Sequence, residues 1–349
     1  MKVKEIAEKL NISPATVSLV LNNKPGVSEK TRQRVLRAVA EAGYDTNMLS
    51  KPALRDHKSI RFIIYKKHGN VVGDTPFFSA LIEGIDYEAR RRGYSAVISY
   101  INDDQNKDEV LQTIKDHPLN GIIILATEMN YDDLQPFVGI NVPIVLLDSY
   151  FMDAHMDSIV INNIQGAYKA TKYLIDKGHT DIGYLHSSVW INNFDERMDG
   201  FLKALSDNNI KLNKKNIFSL ESTLDGAYRD MADVLQAGAE LPTALFADND
   251  IIAFGAIKAL REHGVRIPED ISIVGFDDMP FCTVIDPPLT TVRVYKQDIG
   301  RLAVRRLIEK IRYNADIFVN IEVGTELVER NSVLDRNKIG KDNKNGLQD

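Results

Sequence analysis

The chain has 349 residues, 44% of them hydrophobic and 26% charged, which suits two or three folded domains and excludes a disordered polypeptide. Its longest apolar runs, 121–126 and 142–147, are strand-length, far short of the roughly 20 residues that span a bilayer. The opening Met1-Lys2-Val3-Lys4-Glu5 lacks the apolar stretch of an export signal, so a cytoplasmic protein without a membrane partner is expected. Cys282 is the one cysteine and can neither close an intramolecular disulfide nor complete a cysteine metal site. Residues 1–58 hold 11 Lys and Arg against 6 Asp and Glu, so the net charge of −6 divides into +5 at this end and −11 over the rest. A short basic head on an acidic body suggests a polyanion partner for the head.

Val3, Ile6, Ala7 and Leu10 fall at helical spacing and predict a first short helix. Ser13 is a good N-cap and Pro14 a good first helical residue for a second, whose apolar stripe is Val17, Val20 and Leu21. Ser28 caps a third, with Val35, Leu36, Val39 and Ala42 inward and Gly43 at its C-cap. Two short helices joined by a tight turn form the helix-turn-helix arrangement, in which the second helix enters the major groove of double-stranded DNA. Pro14, Ala15 and Thr16 would lead: Ala15 and the Thr16 methyl suit a thymine methyl, and the Thr16 and Ser18 hydroxyls suit base edges or phosphates. On spacing alone, a three-helix bundle that binds a protein partner is the alternative.

The wording of the segment goes further. Lys4-Glu5-Ile6-Ala7, Ser13-Pro14-Ala15-Thr16-Val17-Ser18, Val20-Leu21-Asn22 and Gly26-Val27-Ser28-Glu29-Lys30-Thr31-Arg32 closely resemble the lactose-repressor (LacI/GalR) family of transcription regulators, and the likeness runs over residues 2 to 335. It implies operator contacts from Ser13, Pro14, Ala15, Thr16, Ser18, Leu19 and Asn22. The family usually has Arg where this chain has Leu19, which donates no hydrogen bond and can either touch a thymine methyl or pack in the head. The resemblance also implies a hinge helix over 46–59 with a leucine wedged in the minor groove. Here Thr46-Asn47-Met48-Leu49-Ser50-Lys51-Pro52-Ala53-Leu54 departs from the family pattern by one position; Leu54 is the expected wedge, and Pro52 confines any helix to a late start. A flexible polar linker is the other reading.

From Ile60 short apolar runs alternate with helical stripes: strands at 61–65, 96–98, 121–125, 144–147, 158–161, 182–186, 244–247 and 271–276, with a helix over 80–92. The fold class expected is a small all-α helix-turn-helix head (1–45), a linker (46–59) and an α/β body (60–335) of two doubly wound parallel-sheet lobes, with a disordered polar tail from Arg336. The resemblance implies a periplasmic-binding-protein-like body whose chain crosses between lobes near Asn162, Leu289 and Val323.

Residues just after the predicted strands converge on an interlobe cleft, where a small polar effector, a sugar or sugar derivative, would be held. Phe77 and Phe78 offer ring faces, or fill the core. Asp148 ends a strand and accepts ligand hydroxyls, or caps or faces solvent. Glu196-Arg197-Met198-Asp199-Gly200-Phe201 resembles the family's effector-gripping arginine motif, making Arg197 the leading candidate, with Asn193 on the same helical face; a plain salt bridge is the alternative. Trp190 either stacks on the ligand or sits in the core. Asp248-Asn249-Asp250 and Gly275-Phe276-Asp277-Asp278 resemble two more strand-end signatures, which send Asn249 and Asp277 to the ligand and leave Asp250 as a helix cap; Asp277 could instead simply form a turn. Glu221 falls where the family often has an aromatic. Scattered histidines and the lack of phosphate-loop, metal-ligand or nucleophile motifs point away from an enzyme, a cofactor or a metal. The expected partners are operator DNA, a small-molecule effector and a second copy in a homodimer, with effector binding relieving repression through lobe closure.

Overall fold

The computed structural model describes residues 3–21, 26–41, 58–73, 76–102, 107–116, 119–313 and 317–338. The chain divides into two units, 1–58 and 59–349. In the first, α1 (Val3–Leu10), α2 (Pro14–Leu21) and α3 (Glu29–Glu41) close over Ile6, Ala7, Val17, Val20, Val35, Ala38 and Val39. Asn11, at φ 51°, makes the tight turn between α1 and α2. Ser13 and Ser28 cap α2 and α3, each accepting the backbone N–H three residues on, at 3.0 and 3.3 Å. Asn22, and the stretch 42–57 that holds the expected Ala42 and Gly43 positions and Leu54, lie outside the described residues.

The second unit runs β1 (Lys58–Lys66), α4 (Pro76–Arg91), β2 (Tyr94–Asn102), α5 (Lys107–Asp116), β3 (Gly121–Leu125), α6 (Tyr131–Leu134), β4 (Ile144–Leu147) and β5 (Asp157–Ile161), then crosses over. It continues through α7 (Asn163–Asp176), β6 (Ile182–Ser187), α8 (Asn192–Asp207), β7 (Ile217–Leu220), α9 (Leu224–Gln236), β8 (Ala244–Ala247), α10 (Asp250–Glu262), β9 (Ser272–Asp277) and β10 (Thr290–Arg293). It ends with α11 (Lys296–Tyr313), β11 (Asn320–Val323) and β12 (Glu326–Val328). Two six-stranded sheets result, ordered β11-β5-β4-β3-β1-β2 in lobe 1 and β12-β10-β9-β8-β6-β7 in lobe 2. The central strands β3, β4, β8 and β9 are nearly continuous apolar runs, buried between helices on both faces of each sheet, while the edge strands β2, β11 and β12 are partly exposed.

Several expectations need correcting. The second crossover follows β10, at 294–296, because Thr290–Arg293 still pairs with β9 in lobe 2 while α11 packs on α4 in lobe 1; it is not near Leu289. The first and third crossovers lie at Asn162 and just past Val323. Four short strands, β7, β10, β11 and β12, were absent from the sequence-based set. Arg336 to Lys338 form a helical turn rather than the start of a disordered tail, with Arg336 N–H donating to the Lys177 carbonyl at 2.9 Å and Asn337 Nδ2 to the Asp176 carbonyl at 2.8 Å. Among the described residues no helix is long and apolar enough to cross a membrane.

Candidate effector cavity and DNA-reading helix

In a doubly wound lobe the strands end on one edge, and the turns that follow carry the residues exposed there. Here both lobes present that edge to each other. A cavity of about 260 Å³ lies between them, with Phe77, Phe78, Thr127 and Asp148 on the lobe 1 wall and Asn193, Arg197, Asn249 and Asp277 on the lobe 2 wall.

Arg197 is 3% exposed on α8, one turn in. Its Nε donates to Asn163 Oδ1 at 3.0 Å, its Nη1 to the Asp248 carbonyl, and its Nη2 lies 3.6 Å from Asp277 Oδ1. The guanidinium is stacked on the Phe276 ring, 3.8 Å from its centroid. With its plane fixed on all sides, it presents a rigid donor edge to the cavity.

Asp148 follows β4 at φ 69° and Asp277 ends β9 at φ 115°, left-handed backbone that L-residues rarely adopt and that turns each carboxylate inward. Thr127 Oγ1 donates to Asp148 Oδ2 at 2.6 Å. Burial pushes Asp148 up to about 6 and the Asp277 charge adds to this, against the pull of Thr127, Arg197 and Asn193. Burial likewise holds Asp277 above the usual carboxylate range, against Arg197 and Lys296. Asp277 Oδ1 is buried and has no hydrogen-bond partner among the described residues; the Arg197 guanidinium faces it as an ion-pair partner at 3.6 Å.

Behind the lobe 2 wall, Asp248 accepts from Tyr184 Oη at 2.6 Å, His186 Nδ1 at 2.8 Å and Ser187 N at 2.7 Å. Burial draws the His186 pKa down, but the hydrogen bond and charge of Asp248 outweigh it and leave the pKa above its ordinary value. The helix-cap assignment is reversed. Asn249 is the N-cap, accepting from Ile252 N at 2.9 Å, while Asp250 is wholly buried and accepts from Thr291 Oγ1 at 2.6 Å, Met279 N at 2.8 Å and Cys282 Sγ at 3.1 Å. Asn249 thus serves the helix as well as the cavity wall. Burial, with the Asp277 charge, pushes Asp250 up to about 7.

Trp190 does not join the cavity: it is 58% exposed, and its Nε1 donates to Asp195 Oδ2 at 2.7 Å. Glu221 also turns away, accepting from Thr223 Oγ1 at 2.9 Å and facing Arg229. Sequence reasoning missed Glu128, whose buried carboxylate accepts five backbone N–H groups, from Lys67, His68, Gly69, Val71 and Val72, at 2.7 to 3.1 Å. These donors outweigh the effect of burial and hold its pKa below the usual range. The loop so tethered supplies Gly69, Asn70 and Val71 to the cavity wall. The signal was only an apolar strand ending in Thr127-Glu128.

On α2 of the head, Ser13, Pro14, Ala15 and Ser18 are exposed, and Thr16 and Leu19 are half-buried. Ser13 Oγ and Thr16 Oγ1 are 2.8 Å apart, so these hydroxyls are partly engaged with each other in the cap. Leu19 stands outside the set of side chains packed on the head's core. Lys30, Arg34 and Arg37 of α3, with Lys9 of α1, line a basic hollow.

Comparison with known proteins covers both units. A model of bacterial regulatory proteins of the lacI family matches residues 2–47, and a periplasmic binding protein-like domain matches residues 171–333. The HTH-type transcriptional repressor PurR of Actinobacillus pleuropneumoniae serotype 3 is 32% identical over 343 residues, spanning 96% of this chain and 99% of that one. The ribose operon repressor of Haemophilus influenzae is 30% identical, spanning 89% and 92%. A structure of the lac repressor dimer bound to operator and the anti-inducer ONPF superposes with a TM-score of 0.71 at 25% identity, covering 96% of this chain and 99% of that one. The chain therefore belongs to the LacI family of bacterial regulatory proteins, whose members are transcription regulators and not enzymes.

Proposed function

We propose that this protein is a dimeric repressor that releases its operator when a neutral sugar or sugar derivative fills the interlobe cavity. The observation that carries the effector reading is the cavity wall itself: Arg197, Asn193, Asn249, Asp148 and Asp277 alternate donors and acceptors around the Phe77 and Phe78 rings. Such a mixture suits a ring with hydroxyls on its edge and C–H groups on its face. Two carboxylates stand against one guanidinium, which disfavours a phosphorylated or carboxylated ligand. The relative from Haemophilus influenzae is a ribose operon repressor, which supports a sugar.

In the head, Pro14, Ala15, Ser18 and Leu19 form the face of α2 offered to base edges, with Ser13 and Thr16 at its start, while the lysines and arginines of α3 add attraction for phosphates. Asn22 and Leu54 complete the DNA-contacting set. Two copies pair through the body; the lac repressor in its operator complex is likewise a dimer. Exposed apolar side chains are available for this: Tyr87, Val97, Ile98 and Tyr100 on lobe 1, and Phe281 and Val284 on lobe 2.

The deciding experiment is fluorescence anisotropy of a labelled operator, titrated with the protein in the presence of ribose, cellobiose, a sugar phosphate or a purine base. A neutral sugar should weaken operator binding at least about tenfold, the scale of an ordinary coupling free energy. Response to the purine or the sugar phosphate alone would overturn the sugar assignment.

A further inference from the structure

Lys296 opens α11, a helix packed on α4 in lobe 1, yet its ammonium reaches back across the second crossover into lobe 2. There it donates to the backbone carbonyls of Asp277 and, at 3.4 Å, Asp278, and also lies 3.4 Å from the Val294 carbonyl of the crossover itself. Asp277 and Asp278 are consecutive non-glycine residues at φ 115° and 53°, a turn that needs outside support. On its other side the ammonium lies 5.6 Å from the centroid of the Phe77 ring, which belongs to the lobe 1 wall of the cavity. One cation therefore touches the backbone that aims one cavity carboxylate and an aromatic ring that faces it from the opposite lobe. It also sits at a crossover, where lobe rotation would change its distance to those carbonyls.

We propose that Lys296 is a coupling residue, pinning the strained Asp277–Asp278 turn of lobe 2 to the Phe77 wall of lobe 1, so that whatever displaces Asp277 is felt in both lobes. The functional meaning rests on the cavity being the effector site, but the physical claim does not depend on any effector or operator. A flexible four-carbon stem carrying three rotatable donors suits this task, because it can follow several carbonyls through a small rotation.

Hydrogen exchange on the ligand-free full chain tests it. Lys296→Met keeps the length of the stem and removes the donors. Its expected signature is an exchange rate raised about tenfold, the effect of losing one charge-assisted hydrogen bond, both at 277–282 in lobe 2 and at 76–81 in lobe 1. The interiors of β4 and β6 should be unchanged. Lys296→Arg should restore both segments, and Lys296→Gln, with a shorter neutral donor, should fall between and serves if the methionine variant does not fold. Exchange that rises in only one lobe, or in neither, overturns the proposal, as does failure of arginine to restore. A failed sugar titration with intact two-lobe exchange would instead sink the effector assignment and leave the coupling standing.

Discussion

The two lobes have the same strand order and meet at the same edges, but they build their halves of the cavity by different means. Lobe 2 relies on buried charge: Arg197 is clamped by Asn163, the Asp248 carbonyl and Phe276, and Asp248 and Asp250 sit behind it in full hydrogen-bond networks. Lobe 1 relies on rings and backbone: Phe77 and Phe78 meet edge to face at 5.0 Å, and one carboxylate, Glu128, gathers a loop by its N–H groups. The lesson is that a cavity wall can be made rigid either by satisfying ions or by tethering main chain. Both walls keep a carboxylate held above its ordinary range, Asp148 in lobe 1 and Asp277 in lobe 2, whereas the Glu128 tether is held below that range and keeps its charge.

The sharpest way to break this contrast is Arg197→Ala, which leaves Asp277 buried and without its cation. Loss of one partner from a buried pair typically costs about 3–5 kcal/mol, so chemical denaturation should show the body weakened on that scale and calorimetry should show no sugar binding, while operator retention persists. A stable variant that still responds to sugar would remove Arg197 from the centre of the site.

A smaller effect is the pH dependence set by Asp250 behind the lobe 2 wall. Because the folded-state pKa of Asp250 is raised to about 7, the folded protein takes up its proton before the unfolded chain does, and stability grows as pH falls through 7 toward the unfolded value. This contribution is worth about 2 kcal/mol between pH 7.5 and 5.5 by linkage. Asp250→Asn should flatten that slope in urea titrations at the two pH values; an unchanged slope would place the titrating group elsewhere, Asp148 being next.

Least costly is Glu128→Gln in lobe 1. The amide retains an acceptor for part of the loop but loses the charge, so a stability loss of about 1–2 kcal/mol is expected with little pH dependence above 5. Sugar affinity, measured by the fluorescence of Trp190 next to the cavity-lining Ile191, should fall several-fold as the loop loosens. Full affinity would mean that the loop needs no tether.

What could be read from sequence follows from the range of the interactions. Helical caps at Ser13 and Ser28, and the apolar runs of β3, β4 and β9, depend on neighbours a few residues away and were legible. The edge strand β11 alternates half-buried and exposed residues over only four positions, too short a pattern to register, and β12 has three. The Glu-Arg-x-x-Gly-Phe motif put Arg197 and Asn193 on the wall, but placing the tryptophan beside them failed because one residue of offset on the approach to α8 turns Trp190 outward and Ile191 inward. Asn249 lines the cavity and also takes the capping role expected of Asp250, because both can cap and only the remote Thr291, Met279 and Cys282 draw the Asp250 carboxylate into the interior. Glu128 answers to donors about sixty residues upstream, and no local pattern announces them.

The glycine of that arginine motif also has a task of its own. A Cβ at Gly200 would stand 2.3 Å from the Ile164 carbonyl, so α8 can lie against α7 only because nothing projects there. That closeness is what brings Asn163, at the start of α7, within reach of the Arg197 Nε. The motif therefore specifies an interaxial gap along with a cation, and a graft carrying the arginine onto helices spaced for a larger residue would deliver the charge without its aim.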